Sequence, residues 1–152
     1  MLIIGCGNRD RGDDAAGVLV AEGLRQLGID VQIHRGDAGE LIESWCGVDD
    51  VIVVDAVMTG TKVGSVTFWD GQHPPAFLRS TPSTHGLGLA AAIELSRILG
   101  CLPIRLRMYG IEGRHFEIGV EVSPEVKNAV ERVVRSIDTE VTATHRTGSL
   151  CV

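Results

Sequence analysis

Leu2-Ile3-Ile4-Gly5-Cys6-Gly7-Asn8-Arg9-Asp10-Arg11-Gly12-Asp13-Asp14-Ala15-Ala16-Gly17 is the stretch whose reading decides the fold. Leu2 to Gly5 is a short apolar run of strand type. A glycine-containing loop follows. From about Asp13 to Leu27 the apolar residues Ala16, Leu19, Val20, Leu24 and Leu27 recur at helical spacing, and Gly28 supplies a stop. Strand, glycine loop and helix in that order open an α/β domain.

A strand followed by GxG also invites a dinucleotide-binding reading, which fails on detail. The third glycine of that fingerprint should fall at position 10, which is Asp10. The loop then presents Asp10, Asp13 and Asp14 where a pyrophosphate needs amide donors and no negative charge. An acidic loop attracts cations instead. On the residues alone, a structural role stands level with this one: Asp13 caps the helix and Asp14 complements its dipole.

Working outward, strand-like and helix-like segments alternate. A second strand is expected near Val31 to His34 and a short helix near Glu40 to Trp45. The third strand, Val51 to Val54, is continuously apolar and β-branched, as a buried central strand should be, and it ends at Asp55. Gly64 to Trp69 alternates like an antiparallel edge strand. Gln72 to Pro82, with Pro74, Pro75 and Pro82, reads as loop. Gly86 to Leu99 is an Ala- and Leu-rich helix, apolar on most sides and expected to be well buried. A strand follows near Ile104 to Ile111. The last helix has Ser123 as N-cap, Pro124 at its first position and Glu125 at the positive end of its dipole. Its apolar face is Val126, Ala129, Val130, Val133, Val134 and Ile137. The expected organisation is one domain over residues 1–138 and an aperiodic, flexible tail over 139–152.

Composition narrows the function. The 152 residues fit a single core, and an apolar share of 44% suits a globular chain. Lys and Arg number 14 against 20 Asp and Glu, a net charge of −6, which disfavours a nucleic-acid partner. Aromatic residues are only 4%, too few for base-stacking platforms. The first residues lack a basic leader, and no apolar run approaches the roughly 20 residues of a membrane span, so no membrane association is expected. Cys6, Cys46, Cys101 and Cys151 are scattered without a CxxC pair. They are expected to be buried or idle thiols in a reducing cytoplasm, with no disulfide framework or structural zinc site.

Two further residues, Asp55 and His85, are candidates for chemistry. Asp55 is a carboxylate at the C-terminal end of a buried strand, the edge where open α/β sheets bind ligands. It meets Asp14 if strands one and three are neighbours. Taken alone, Asp55 reads more simply as a turn residue and His85 as a helix-entry residue. His34, His73, His115 and His145 form no HExxH pair, and no GxSxG elbow exists, so neither a zinc-protease helix nor a serine nucleophile has support.

The pattern Gly5-x-Gly7-Asn8-x-x-x-x-Asp13-Asp14-x-x-Gly17 resembles the opening motif of the hydrogenase maturation proteases. The resemblance continues through Asp55-Ala56-Val57, Ser83-x-His85, Gly110-Ile111-Glu112, Gly119 and Ser123-Pro124-Glu125-Val126, and spans Leu2 to about Ile137. It implies a three-layer α/β/α sandwich around a mostly parallel, five-stranded sheet. It implies a cytoplasmic endopeptidase that removes the C-terminal peptide of a nickel–iron hydrogenase large-subunit precursor once nickel has been inserted. The expected metal is substrate-borne nickel, with cadmium or zinc expected to bind in its place. The family's metal-contacting and catalytic residues map onto Asp14, Asp55 and His85, with Gly5, Gly7, Asn8 and Asp13 forming the supporting loop. This chain departs from the pattern in two places. Asp14 stands where many relatives have Glu, and Gly113 stands where proline is common.

The residue chemistry agrees with this mapping. Two carboxylates and one imidazole make an oxygen-rich, open site suited to a borderline divalent ion. The alternatives are a metal-dependent hydrolase or aminopeptidase that owns its metal, and a non-catalytic nickel-binding maturation chaperone.

Overall fold

The computed structural model describes residues 1–80 and 84–148, and at 79, 80, 84–87, 145, 147 and 148 the backbone alone. The elements in chain order are β1 (Leu2–Cys6), a 3₁₀ turn (Gly12–Ala15), α1 (Ala16–Gln26), β2 (Gln32–His34), α2 (Ala38–Trp45) and β3 (Asp50–Val57). They continue with β4 (Val66–Asp70), α3 (Phe77–Ser80), α4 (Thr84–Leu99), β5 (Arg105–Glu112) and α5 (Pro124–Gly148).

The five strands form one sheet in the order β2-β1-β3-β5-β4. β1 pairs in parallel with β2 and β3, β3 pairs in parallel with β5, and β4 closes the edge antiparallel to β5. Successive side chains of a strand point to opposite faces. Ile52, Val54 and Ala56 therefore pack with α1 and α5 residues such as Val20, Leu24, Val126 and Val133. Val51, Val53 and Val57 pack on the other face with Leu41 and Trp45 of α2 and Leu89, Ala92 and Ile93 of α4. The layers are helix, sheet, helix, as the sequence implied.

Several elements depart from expectation. The first helix does not begin at Asp13. A 3₁₀ turn precedes it, and no side chain caps either element. α3 interrupts the expected proline loop. α4 is not buried all round: Leu89, Ala92 and Ile93 face the core while Leu95, Ile98 and Leu99 are exposed. α5 does not stop near Ile137, and the stretch expected as an aperiodic tail is helical to Gly148. Val141 is buried in the core on that extension, and Glu140 pairs with Arg107 of β5. These anchors sit one helical turn past Ile137, where composition had turned polar.

The cysteines are not all idle thiols either. Cys46 and Cys101 form a disulfide with a Cα–Cα distance of 4.8 Å, while Cys6 is free and buried. Cys46 follows α2 and Cys101 follows α4. These helices lie side by side, and the buried Trp45 Nε1 donates to Ser96 Oγ at 2.8 Å. Packing, not sequence spacing, brings the two sulfurs together.

Candidate active site

Four buried carboxylates gather at the C-terminal edge of the sheet: Asp13, Asp14, Asp55 and Glu112. The strand order makes this possible. β1 and β3 are neighbours, with Gly5 opposite Val54, so Cys6 and the loop beyond it run beside Asp55. Asp55 shares the face of Val53 and Val57, the side covered by α2 and α4.

Two of the four hold loops. Asp13 is wholly buried and accepts from Arg114 N (2.7 Å), His115 N (3.1 Å), Ser123 N (2.7 Å) and Ser123 Oγ (2.8 Å). Burial works to raise its pKa, but these hydrogen bonds together outweigh it, and the pKa is lowered. Ser123 opens α5 as expected, its carbonyl accepting from Val126 N and Lys127 N, while its hydroxyl turns to Asp13. Glu112, at the end of β5, accepts from Thr59 N and Oγ1 and from Gly60 N, folding the β3–β4 loop over the edge. Gly113 N donates to Val57 O at 2.9 Å, a bond that the family's proline cannot make.

Asp14 follows β1, and Asp55 ends the apolar run of the neighbouring β3, so both buried carboxylates lie at this edge near Cys6. Burial first, then the carboxylates of Asp55, Asp14 and Glu40, push the Cys6 thiol well above its usual pKa. Burial and this negative surrounding favour the neutral thiol over the nucleophilic thiolate. Asp14 Oδ2 accepts from Asn8 N at 3.1 Å, so the GxGN loop sets its direction. Asp55 Oδ1 accepts from Ala56 N at 2.8 Å. Gly7 (φ +138°) passes so close to Asp14 that a Cβ would strike the Asp14 carbonyl oxygen. Gly5 makes the same kind of approach to α1. Gly5 and Gly7 thus let the first loop lie against α1 and the 3₁₀ turn, and Asn8 ties it to Asp14, while the Asp13 carboxylate faces the loop before α5.

His85 is the second residue of α4, which leads into β5 and whose first turn lies at this same edge. Gly88, one turn on, abuts the Gly36 carbonyl just beyond β2. The His85 side chain itself lies outside the described residues. Among the described residues, no group of three His, Cys, Asp or Glu is arranged to hold a metal ion.

A cleft of about 720 Å³ opens beside the first loop, lined by Gly7, Asn8, Ile33, His34, Glu40 and Ser44 among others. His34 is fixed in its wall: Nε2 lies 3.0 Å from Gln32 Oε1 and 3.1 Å from Ser44 Oγ, and Nδ1 lies 3.5 Å from Glu40 Oε2. Sequence reasoning missed this cleft, because its walls come from three separate segments.

The comparisons agree with this architecture. The family model described as hydrogenase maturation protease matches residues 36–140. The chain is 29% identical to the hydrogenase 2 maturation protease of Escherichia coli, over 90% of this chain and 87% of that one. It is 30% identical to protein FrxA of Pyrococcus furiosus, over 83% of this chain and 93% of that one. Among solved structures, the hydrogenase maturating endopeptidase HybD from E. coli superposes with a TM-score of 0.80 at 26% identity, covering 94% of this chain and 92% of that one. The NiFe hydrogenase maturation protease HycI from Thermococcus kodakarensis matches with a TM-score of 0.66 at 31% identity, covering 90% and 88%. With the family model covering most of the sequence and the same fold recurring in solved members, this chain belongs to the hydrogenase maturation protease family.

Proposed function

We propose that this endopeptidase removes the C-terminal peptide of a nickel–iron hydrogenase large-subunit precursor, and that it acts only after nickel has been inserted. Asp14, Asp55 and His85 are the residues that meet that nickel, and the place of work is the cytoplasm. The observation that carries the reading is that the buried Asp14 and Asp55 lie at the C-terminal edge of the neighbouring strands β1 and β3, the edge where α4 begins. Two carboxylates and an imidazole do not close a coordination sphere, so an ion already held by the precursor's own ligands can add them. Cadmium and zinc suit the same donor set. Anchoring the precursor this way aligns its scissile bond, and alignment alone supplies a large part of a hydrolase's rate. The adjoining cleft has a volume ordinary for a binding site and room for a peptide segment.

The test is a time course with purified components: nickel-free precursor, the same precursor with free nickel under conditions that block insertion, and nickel-loaded precursor. Only the third should lose its tail by mass. Equal cleavage of all three overturns nickel recognition. Tight metal binding with activity on small peptides favours a hydrolase that owns its metal, and metal binding without cleavage favours a chaperone.

A further inference from the structure

We infer that Asp13 is a positioning residue of this site, fixing Asp14 by clamping the loop between β5 and α5 onto the first loop. The inference rests on the processing function proposed above and says how the first carboxylate is aimed.

Asp13 and Asp14 are consecutive in a 3₁₀ turn, yet their side chains serve opposite sides. Asp14 turns to the first loop, where its Oδ2 accepts from the Asn8 amide. Asp13 turns out to the late loop and collects three main-chain N–H groups and one hydroxyl from Arg114, His115 and Ser123. The main chain adds to this clamp. Asp13 N donates to His115 O at 2.7 Å, Gly119 N donates to Asp10 O at 2.9 Å, and Arg11 Nε donates to Phe116 O at 3.1 Å. Gly12 (φ +54°) lies against the His115 carbonyl, and Gly113 lies against the Asp13 Cβ. No room remains for the turn to rotate about Asp13 without breaking several of these contacts. A cap needs one or two such bonds, whereas this carboxylate accepts four, three at Oδ2 and one at Oδ1, from a segment about a hundred residues away. What it fixes is the orientation of the next residue. A buried carboxylate swings off target with a small backbone rotation, and about an ångström of misplacement is enough to lose roughly a hundredfold in rate.

The discriminating variant is Asp13→Asn, which keeps the shape and turns an NH₂ toward amide donors. On nickel-loaded precursor, folded Asp13→Asn should lose at least about tenfold in kcat with KM within roughly threefold of wild type, since the docking surface is intact. Amide exchange at Arg114, His115 and Ser123 should accelerate. In an Asp14→Asn background, Asp13→Asn should cost nothing more, because residues that act through one another are not additive. A kcat within roughly threefold of wild type overturns the inference and leaves Asp13 a purely structural residue. So does a full multiplicative loss in the Asp14→Asn background. If Asp13→Asn does not fold, Ser123→Ala removes one of the donors: a lower kcat at unchanged KM supports the clamp, and wild-type kcat overturns it. Wild-type protein that leaves loaded precursor uncut overturns the processing function itself, an outcome distinct from a variant that matches an active wild type.

Discussion

Gly5 of β1 and Gly17 of α1 lie back to back. A Cβ on Gly5 would strike the Gly17 carbonyl oxygen, and a Cβ on Gly17 would strike the carbonyl oxygens of Cys6 and Val54. Helix and sheet approach as closely as main chain allows. Gly17→Ala must push α1 away from β1 and β3. Overpacking of this kind costs about 1–3 kcal/mol. Chemical denaturation should show a loss in that range, and an unchanged midpoint would mean that the contact is looser than the structure has it.

Asp14→Asn and Asp55→Asn should fold and yet fail to process nickel-loaded precursor, by at least about a hundredfold in rate. Asp55 should be the more sensitive, because a central strand paired on both sides holds it, whereas Asp14 sits in a turn. Circular dichroism establishes the fold and mass spectrometry the processing. Near wild-type processing by either variant removes that residue from the site.

Acid should weaken the protein partly through Asp13. Its folded pKa is lowered, so its ionised form is favoured by the native state. That contribution is fully present above the unfolded value of about 3.9 and is lost as pH falls through the lower folded value. Metal-free Asp13→Asn should therefore be less stable than wild type at neutral pH, with the gap narrowing below about pH 4. A gap that stays constant from neutral to acid pH would show that the charge of Asp13 is not what the late loop binds.

The Cys46–Cys101 disulfide closes a loop across a separation of 55 residues. Cys46 is exposed, open to a small thiol reductant. Cross-links over loops of this length add about 2–4 kcal/mol to stability. Adding a dithiol, or making Cys46→Ser with Cys101→Ser, should lower the thermal midpoint in parallel. Thiol counting before and after reduction checks the bond directly, and two extra free thiols in the untreated protein would show that it is not formed.

Much of this protein is local in origin and was legible in the sequence. The β-branched run Val51 to Val54, the helical spacing after Ala16 and the Ser123-Pro124-Glu125 start report their own elements, because periodicity and capping act within a few residues. The order of the motifs pointed to the family. Asp14 and Asp55 were legible as candidates because each sits beyond a recognisable strand. Tertiary structure decided what depends on distant partners. Asp13 looked like a helix cap and instead binds the far loop, because Arg114 and Ser123 come within reach only when β5 lies two strands from β1. Cys46 met Cys101 because α2 and α4 pack together, and α5 ran on to Gly148 because Val141 and Glu140 found the core and Arg107. The exposed Leu95, Ile98 and Leu99 show the limit of the local signal: apolar spacing says that a face exists, and only the packed neighbours say whether it is covered.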